Sequence, residues 1–233
     1  MSMWTAFQTL LKGVTAIPAP PAAQVAPKPP EPGLKDPKAF YDAVRNGLLG
    51  PTLSQAEVEG CEALLAACKG MPLSWAAYAF ATAYHETAHT MQPVKEYGGA
   101  AYFKRMYDPM GSRPDVAERL GNTDPGDGVK FCGRGYVQLT GRRNYAKASA
   151  TLGVDLVGEP DLAMRPDIAA AILRQGMKGG WFTGKCFDDF LTSPANEAQF
   201  TQARRIINVL DRASLIAGYA MHFQSALKAG GWS

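Results

Sequence analysis

The sequence predicts a mainly α-helical domain with at most one short β element. Three observations carry that expectation. From Leu34 onward, apolar residues recur at helical spacing behind recognisable start signals. One stretch, Leu73 to Thr90, is apolar nearly all round, as befits a helix buried on every side. Only Tyr136-Val137-Gln138-Leu139 reads as a strand. The chain has 233 residues, 46% of them hydrophobic and 19% charged, enough for one sizeable core.

Residues 1–33 differ from the rest and read as a tail and linker, with the domain proper at 34–233. Trp4, Phe7, Leu10 and Leu11 fall at helical spacing. The prolines of Ile17-Pro18-Ala19-Pro20-Pro21 and Pro27-Lys28-Pro29-Pro30-Glu31-Pro32 then fix φ and remove donors, which favours an extended tether. Asp36-Pro37 opens the first helix, with a capping residue before a proline at the first turn. Ser54-Gln55-Ala56-Glu57 is a capping box ahead of Val58, Cys61, Leu64, Leu65 and Cys68, and Gly70 can close that helix. The helix Leu73–Thr90 follows, and Pro93 forces its end. Glycine and aspartate then dominate from Glu96 to Leu139, which predicts loops with one or two short helices. Residues 142–152, 166–178, 196–207 and 211–227 read as further helices.

Composition narrows the function classes. A net charge of +3 without a Lys/Arg run argues against nucleic acid and suits a mildly anionic polymer such as a bacterial wall. No apolar run reaches the roughly 20 residues of a membrane span, so no stable membrane insertion is expected. No basic residue precedes the apolar start of the chain, which does not read as a secretory signal and predicts cytosolic synthesis. Four cysteines are too few for a disulfide scaffold. On one helix, Cys61 and Cys68 would stand about 10.5 Å apart, beyond the roughly 7 Å limit for a bridge. Free, mostly buried thiols are expected, and Cys132 reads as a packed small residue.

The chemistry turns on Ala83-Tyr84-His85-Glu86-Thr87-Ala88-His89. As His-Glu-x-x-His on a helix, it would set His85 and His89 on one face for zinc, with Glu118 or His222 as the remaining candidate ligand and Glu86 activating water. Alternatively, Glu86 is half of an acid/base pair with Glu96, ten residues on and beyond Pro93. Glycoside hydrolysis needs one protonated and one ionised carboxyl group. A buried helix end would keep the first neutral, and a glycine-flanked loop would leave the second in wetter surroundings. The bland counterpart has Glu86 satisfied by a buried arginine and Glu96 on a surface loop. Asp108 and Asp127 are rival loop acids. A non-catalytic wall-binding module is the rival of a different class. The acid/base reading is preferred and needs neither metal nor cofactor.

Four segments taken together resemble the family 19 glycoside hydrolases, the plant-type chitinases and related bacteriophage endolysins. They are Tyr84-His85-Glu86-Thr87, Lys95-Glu96-Tyr97-Gly98, Phe131-Cys132-Gly133-Arg134-Gly135-Tyr136-Val137-Gln138-Leu139-Thr140 and Asn144-Tyr145. Leu152-Gly153-Val154-Asp155-Leu156, Pro160-Asp161-Leu162 and Arg204-Arg205-Ile206-Ile207-Asn208 add support. The resemblance implies a lysozyme-like, two-lobed helical fold with a cleft between the lobes, and an inverting mechanism. It implies Glu86 as acid, Glu96 as base and Thr140 as the hydroxyl holding the attacking water. It places His85, Tyr97, Gln138, Asn144 and Asn208 along the sugar cleft. Tyr136-Val137 stands where the plant pattern has Pro-Ile, Thr140 replaces serine, and Asn208-Val209-Leu210 replaces Asn-Gly-Gly. These departures favour the endolysin side and hence peptidoglycan over chitin. On that reading a monomer is expected, reaching the wall with the help of a separate holin-type partner.

Overall fold

The computed structural model describes residues 32–232. The expected tail at residues 1–33 therefore lies, except for Pro32 and Gly33, outside the described residues.

The domain is built from helices, as expected. The first is α1 (Pro37–Gly47), where the Asp36 carboxylate accepts from the Ala39 N–H at 3.0 Å. The second is α2 (Gln55–Cys68), with both arms of the Ser54/Glu57 capping box in place. The third is α3 (Leu73–Glu86), the centre of the larger core. Ala76, Ala77, Tyr78, Ala79, Phe80, Ala81 and Ala83 on α3 are all fully buried. Its small alanine side chains favour the helix and let neighbours come close. The most extensive of those neighbours is the last helix, α10 (Ala213–Ala229).

Helix α3 stops at Glu86 rather than running to Thr90, and the reason is a cap without glycine. The His89 N–H donates to the Tyr84 carbonyl at 2.8 Å and the Ala88 N–H to His85 at 3.2 Å. This is a Schellman closure, with Ala88 in the left-handed region at φ 50°. Alanine there costs about 1–2 kcal/mol, so the sequence carries no glycine to announce it. Thr87, buried, donates to the Ala83 carbonyl and accepts from the Met91 N–H. Met91, at φ 56°, lays its carbonyl against Gly60 of α2, where a Cβ would stand 1.9 Å from that oxygen.

The chain then forms β1 (Val94–Lys95), three short helices and β2 (Arg134–Gly135). The helices are α4 (Ala100–Tyr107), α5 (Pro114–Leu120) and α6 (Asp127–Lys130). β1 and β2 are antiparallel, with Val94 opposite Gly135 and Lys95 opposite Arg134. The strand expected at 136–139 is thus displaced. Residues 136–138 form a turn, with Gln138 at φ 52°, and Leu139 bridges back to Arg134. Arg134 is the organiser of this segment. Its buried guanidinium donates to the carbonyls of Lys130 and Cys132, to the Tyr145 hydroxyl and to Asp161.

The remainder comprises α7 (Arg142–Leu152), a 3₁₀ turn at Pro160–Met164, α8 (Pro166–Lys178), a second at Phe187–Asp189, then α9 (Glu197–Ala203) and a third at Arg204–Ile206 ahead of α10. Among the described residues there are two packed cores. The larger surrounds α3, and the smaller gathers Phe131, Leu139, Tyr145, Ala148, Leu156 and Ala163. Helix α8 serves both, giving Ala169, Ala170, Leu173 and Met177 to the first and Ile168 and Ile172 to the second. All four cysteines are free, three of them buried. Burial pushes the Cys61 and Cys68 thiols up to about 12. Among the described residues no helix is long and apolar enough to cross a membrane.

Candidate active site

Glu86 and Glu96 line one cavity of ≈ 450 Å³, together with Thr87, Lys95, Tyr97 and Gln138. The two carboxylates reach it from different supports. Glu86 ends α3, in the larger core. Glu96 follows β1, and its N–H donates to the Gly133 carbonyl at 2.9 Å, which extends the strand pairing by one step.

Their surroundings differ in a useful way, though not as expected for Glu86. Apolar surroundings give way to a cation. Glu86 Oε1 accepts from Nη1 of Arg204 at 2.7 Å, and that guanidinium is only 3% exposed while the carboxylate is 24% exposed. The buried arginine is thus present and the carboxylate lines a cavity as well. Arg204 is fixed in turn, because its Nε donates to the Asp211 carbonyl at 3.0 Å. Glu86 Oε2 makes no hydrogen bond within the described residues. Both oxygens of Glu96 act as acceptors. Oε1 takes the Tyr107 hydroxyl at 2.7 Å and Oε2 the Gly133 N–H at 3.1 Å. Burial, then the bond to Glu96, push the Tyr107 phenol upward, so it stays a donor.

Gly133 shows how the site closes around Glu96. A Cβ there would stand 2.7 Å from Gln138 Oε1, 3.0 Å from Glu96 Oε2 and 3.2 Å from Thr140 Oγ1. Three side-chain oxygens therefore converge on the point that a methyl group at this position would take. Gln138 is held by its Nε2 donating to the Val94 carbonyl at 3.0 Å. The Thr140 hydroxyl donates to the Gln138 carbonyl, and Asn144 donates to the Thr140 carbonyl, both at 2.7 Å. Tyr97 stands 97% exposed at the cavity rim.

The structure thus brings together Glu86, Glu96, Tyr97 and Gln138, with Thr140 beside Glu96 and Asn144 behind it. It does not bring His85 or Asn208 into this cavity. His85 is half-buried near Tyr219. Burial holds its imidazole below the usual range against the opposing Glu86 carboxylate, with Arg204, His89 and Arg212 adding to the effect. Asn208 lines a separate cavity of ≈ 610 Å³, its Oδ1 accepting from the Val209 N–H at 2.8 Å. Neither rival acid lines the Glu86 cavity. Asp108 is buried and accepts from the Gly126 N–H at 2.7 Å. Asp127 is buried under Arg142 and the N–H groups of Thr123 and Asp124.

The zinc geometry is not formed. It needs a helix through residue 89, but α3 ends at Glu86, and His89, at φ 73°, stacks on Tyr84 with centroids 4.2 Å apart. No cluster of three or more His, Cys, Asp or Glu suited to a metal occurs among the described residues. Sequence reasoning gave no role to Arg204, Tyr107 or Gly133. Arg204 and Gly133 lay within the resembling segments. Nothing in the spacing marked Tyr107.

Residues 73–184 match the model of the family 19 glycoside hydrolases described as chitinase class I. A "glycosyl hydrolase family 19 domain-containing protein" of Haemophilus influenzae is 38% identical over 74 residues, 31% of this chain and 33% of that one. Chitinase 8 of Oryza sativa subsp. japonica is 59% identical over 32 residues, 14% of this chain and 12% of that one. The matches thus span a third or less of these relatives. Among solved structures, chitinase C from Streptomyces griseus is 20% identical, covering 88% of this chain and 73% of its own, with a TM-score of 0.44. A bacterial family 19 chitinase is 22% identical over 84% of this chain and 94% of its own, with a TM-score of 0.47.

Proposed function

We propose, from the premise that residues 73–184 are family 19 glycoside hydrolase sequence, that this chain hydrolyses β-1,4 bonds of bacterial peptidoglycan by an inverting two-carboxylate mechanism. The observation that carries the reading is a single cavity lined by Glu86 and Glu96. Arg204 grips one oxygen of Glu86 and so orients the other, which gives its proton to the glycosidic oxygen as the bond breaks. Glu96, steadied by Tyr107 and Gly133, takes a proton from a water on the opposite sugar face. Thr140 and Gln138 present oxygens next to Glu96 that suit holding this water. Inversion requires roughly 6.5–9.5 Å between the two carboxyl groups so that water fits. Peptidoglycan is preferred to chitin because Val209-Leu210 fills the place of a Gly-Gly turn and the chain is mildly basic. Endolysin action in the cell wall, with access through a holin-type partner, belongs to the same proposal.

The test is digestion of purified peptidoglycan and of chitin oligomers, with the anomeric form of the first product followed by NMR. New reducing ends released as the inverted anomer from peptidoglycan are expected. Glu86→Gln should lower the rate by about 10²–10⁴-fold, the usual worth of a general acid. Freed amino groups without new reducing ends would refute the glycosidase, and an unchanged Glu86→Gln rate would refute its acid.

A further inference from the structure

The ≈ 610 Å³ cavity lies outside the acid/base pair and is built from an unusual combination of side chains. Ile207, Val209 and Leu210 form one side, and Lys185 and Arg205 supply positive charge. Val209 is 75% exposed and Leu210 42%, so this turn offers large aliphatic groups to solvent rather than to either core. Grouped exposed aliphatics mark contact surfaces more often than isolated ones do. Neither cation is paired with a carboxylate among the described residues. The walls are tied together, since the Thr183 hydroxyl donates to the carbonyls of Arg205 at 2.6 Å and Ile206 at 3.1 Å.

The turn also leads back to the chemistry. The N–H groups of Ile207 and Asn208 both donate to the Arg204 carbonyl, at 3.1 and 3.0 Å, and Arg204 Nε holds the Asp211 carbonyl. The segment that projects Val209 and Leu210 outward is therefore wound around the residue that grips Glu86.

We propose that this cavity receives the carboxylate-bearing peptide branch of the peptidoglycan strand cut by the Glu86–Glu96 pair. The inference rests on the peptidoglycan reading above. An unbranched amino-sugar polymer is neutral and hydroxyl-rich, and offers little to two free cations beside three aliphatic side chains. A short peptide branch brings both carboxylates and methyl-bearing residues, matching the cavity in charge and in apolar character. Lys185 and Arg205 are then specificity-determining residues for the branch, and Val209 and Leu210 are its apolar floor.

The test is the double charge reversal Lys185→Glu/Arg205→Glu, assayed on three substrates. These are intact peptidoglycan, glycan strands stripped of peptide by an amidase, and chitin oligomers. Both positions are exposed, so folding should persist and is checked by thermal unfolding. On intact peptidoglycan, kcat/KM should fall about tenfold, mainly through KM, and the loss should shrink with added salt. On chitin oligomers the change should stay within about twofold, and on stripped strands, which keep the carboxylate that the amidase uncovers, the loss should be clearly smaller than on intact peptidoglycan. Wild-type protein should also prefer intact to stripped strands. Equal losses on all three substrates, or no loss on intact peptidoglycan, would overturn the branch site while leaving the glycosidase standing. If wild-type protein cut chitin oligomers but opened no bond in peptidoglycan, the substrate reading itself would fail, and the branch site with it.

Discussion

Replacing Arg204 with methionine isolates the contact on which the orientation of Glu86 depends. Removing one partner of a fully buried ion pair costs about 3–5 kcal/mol. Here the guanidinium is 3% exposed but the carboxylate 24%, so water takes up part of the loss. About 2–3 kcal/mol is expected, close to one charge-assisted hydrogen bond. For a domain of this size that corresponds to a fall in Tm of about 5–10 °C. The stability assay is urea unfolding of Arg204→Met, Glu86→Gln and the double variant. Because the two side chains touch, the cycle should return a coupling of about 1.5–3 kcal/mol. Activity tells the rest: without the grip on Oε1 the carboxyl group can turn, and misplacement on the scale of 1 Å costs about 10²-fold in kcat. A coupling below about 0.5 kcal/mol, or wild-type kcat in a folded Arg204→Met protein, would refute the positioning argument.

Other perturbations probe other parts of the molecule. Gly133→Ala puts a methyl group among Gln138 Oε1, Glu96 Oε2 and Thr140 Oγ1, so hydrolysis should drop at least about tenfold with little change in Tm, measured by steady-state rates beside thermal unfolding. Gly60→Ala should do the reverse to stability, costing about 3 kcal/mol or more, because its Cβ meets the Met91 carbonyl backbone, which cannot yield as a flexible side chain would. Burial pushes the Asp127 carboxyl up, but Arg142 and the N–H groups of Asp124 and Thr123 outweigh it and hold it below the usual range. Its contribution to stability should be complete above the unfolded value of about 3.9 and fade as pH falls toward the lower folded value. Tm measured from pH 5 to 2 should therefore fall less steeply in Asp127→Asn, and an identical slope would refute that assignment.

The helical class and most helix starts were legible because they rest on local signals, while the expectation that Glu86 and Glu96 face one cavity leaned on the family resemblance. Ser54 with Glu57, Asp36 with Pro37 and the all-apolar run of α3 each declare themselves within a few residues. The end of α3 was not legible, because its left-handed closing residue is alanine and the stability that tolerates it comes from Thr87, Tyr136 and Gly60, the last two distant in sequence. The same distance hid Arg204, 118 positions from Glu86. Three helices occupy the Glu96–Leu139 stretch where one or two were expected, since short helices leave little periodicity to read. The β pairing is displaced because Arg134, whose guanidinium is satisfied by four partners, fixes the hairpin two residues earlier than the apolar run suggests.

Glu86 ends a helix of one packed core, and Glu96 is fastened to Gly133, between residues of the other. The separation of the two carboxylates is therefore governed by α8, a helix that carries neither of them but sends side chains into both cores. It works as a spacer bar. Trimming Ile168 or Ile172 on one flank, or Leu173 on the other, would retune the jaw opening from behind, with every residue that lines the Glu86–Glu96 cavity left unaltered.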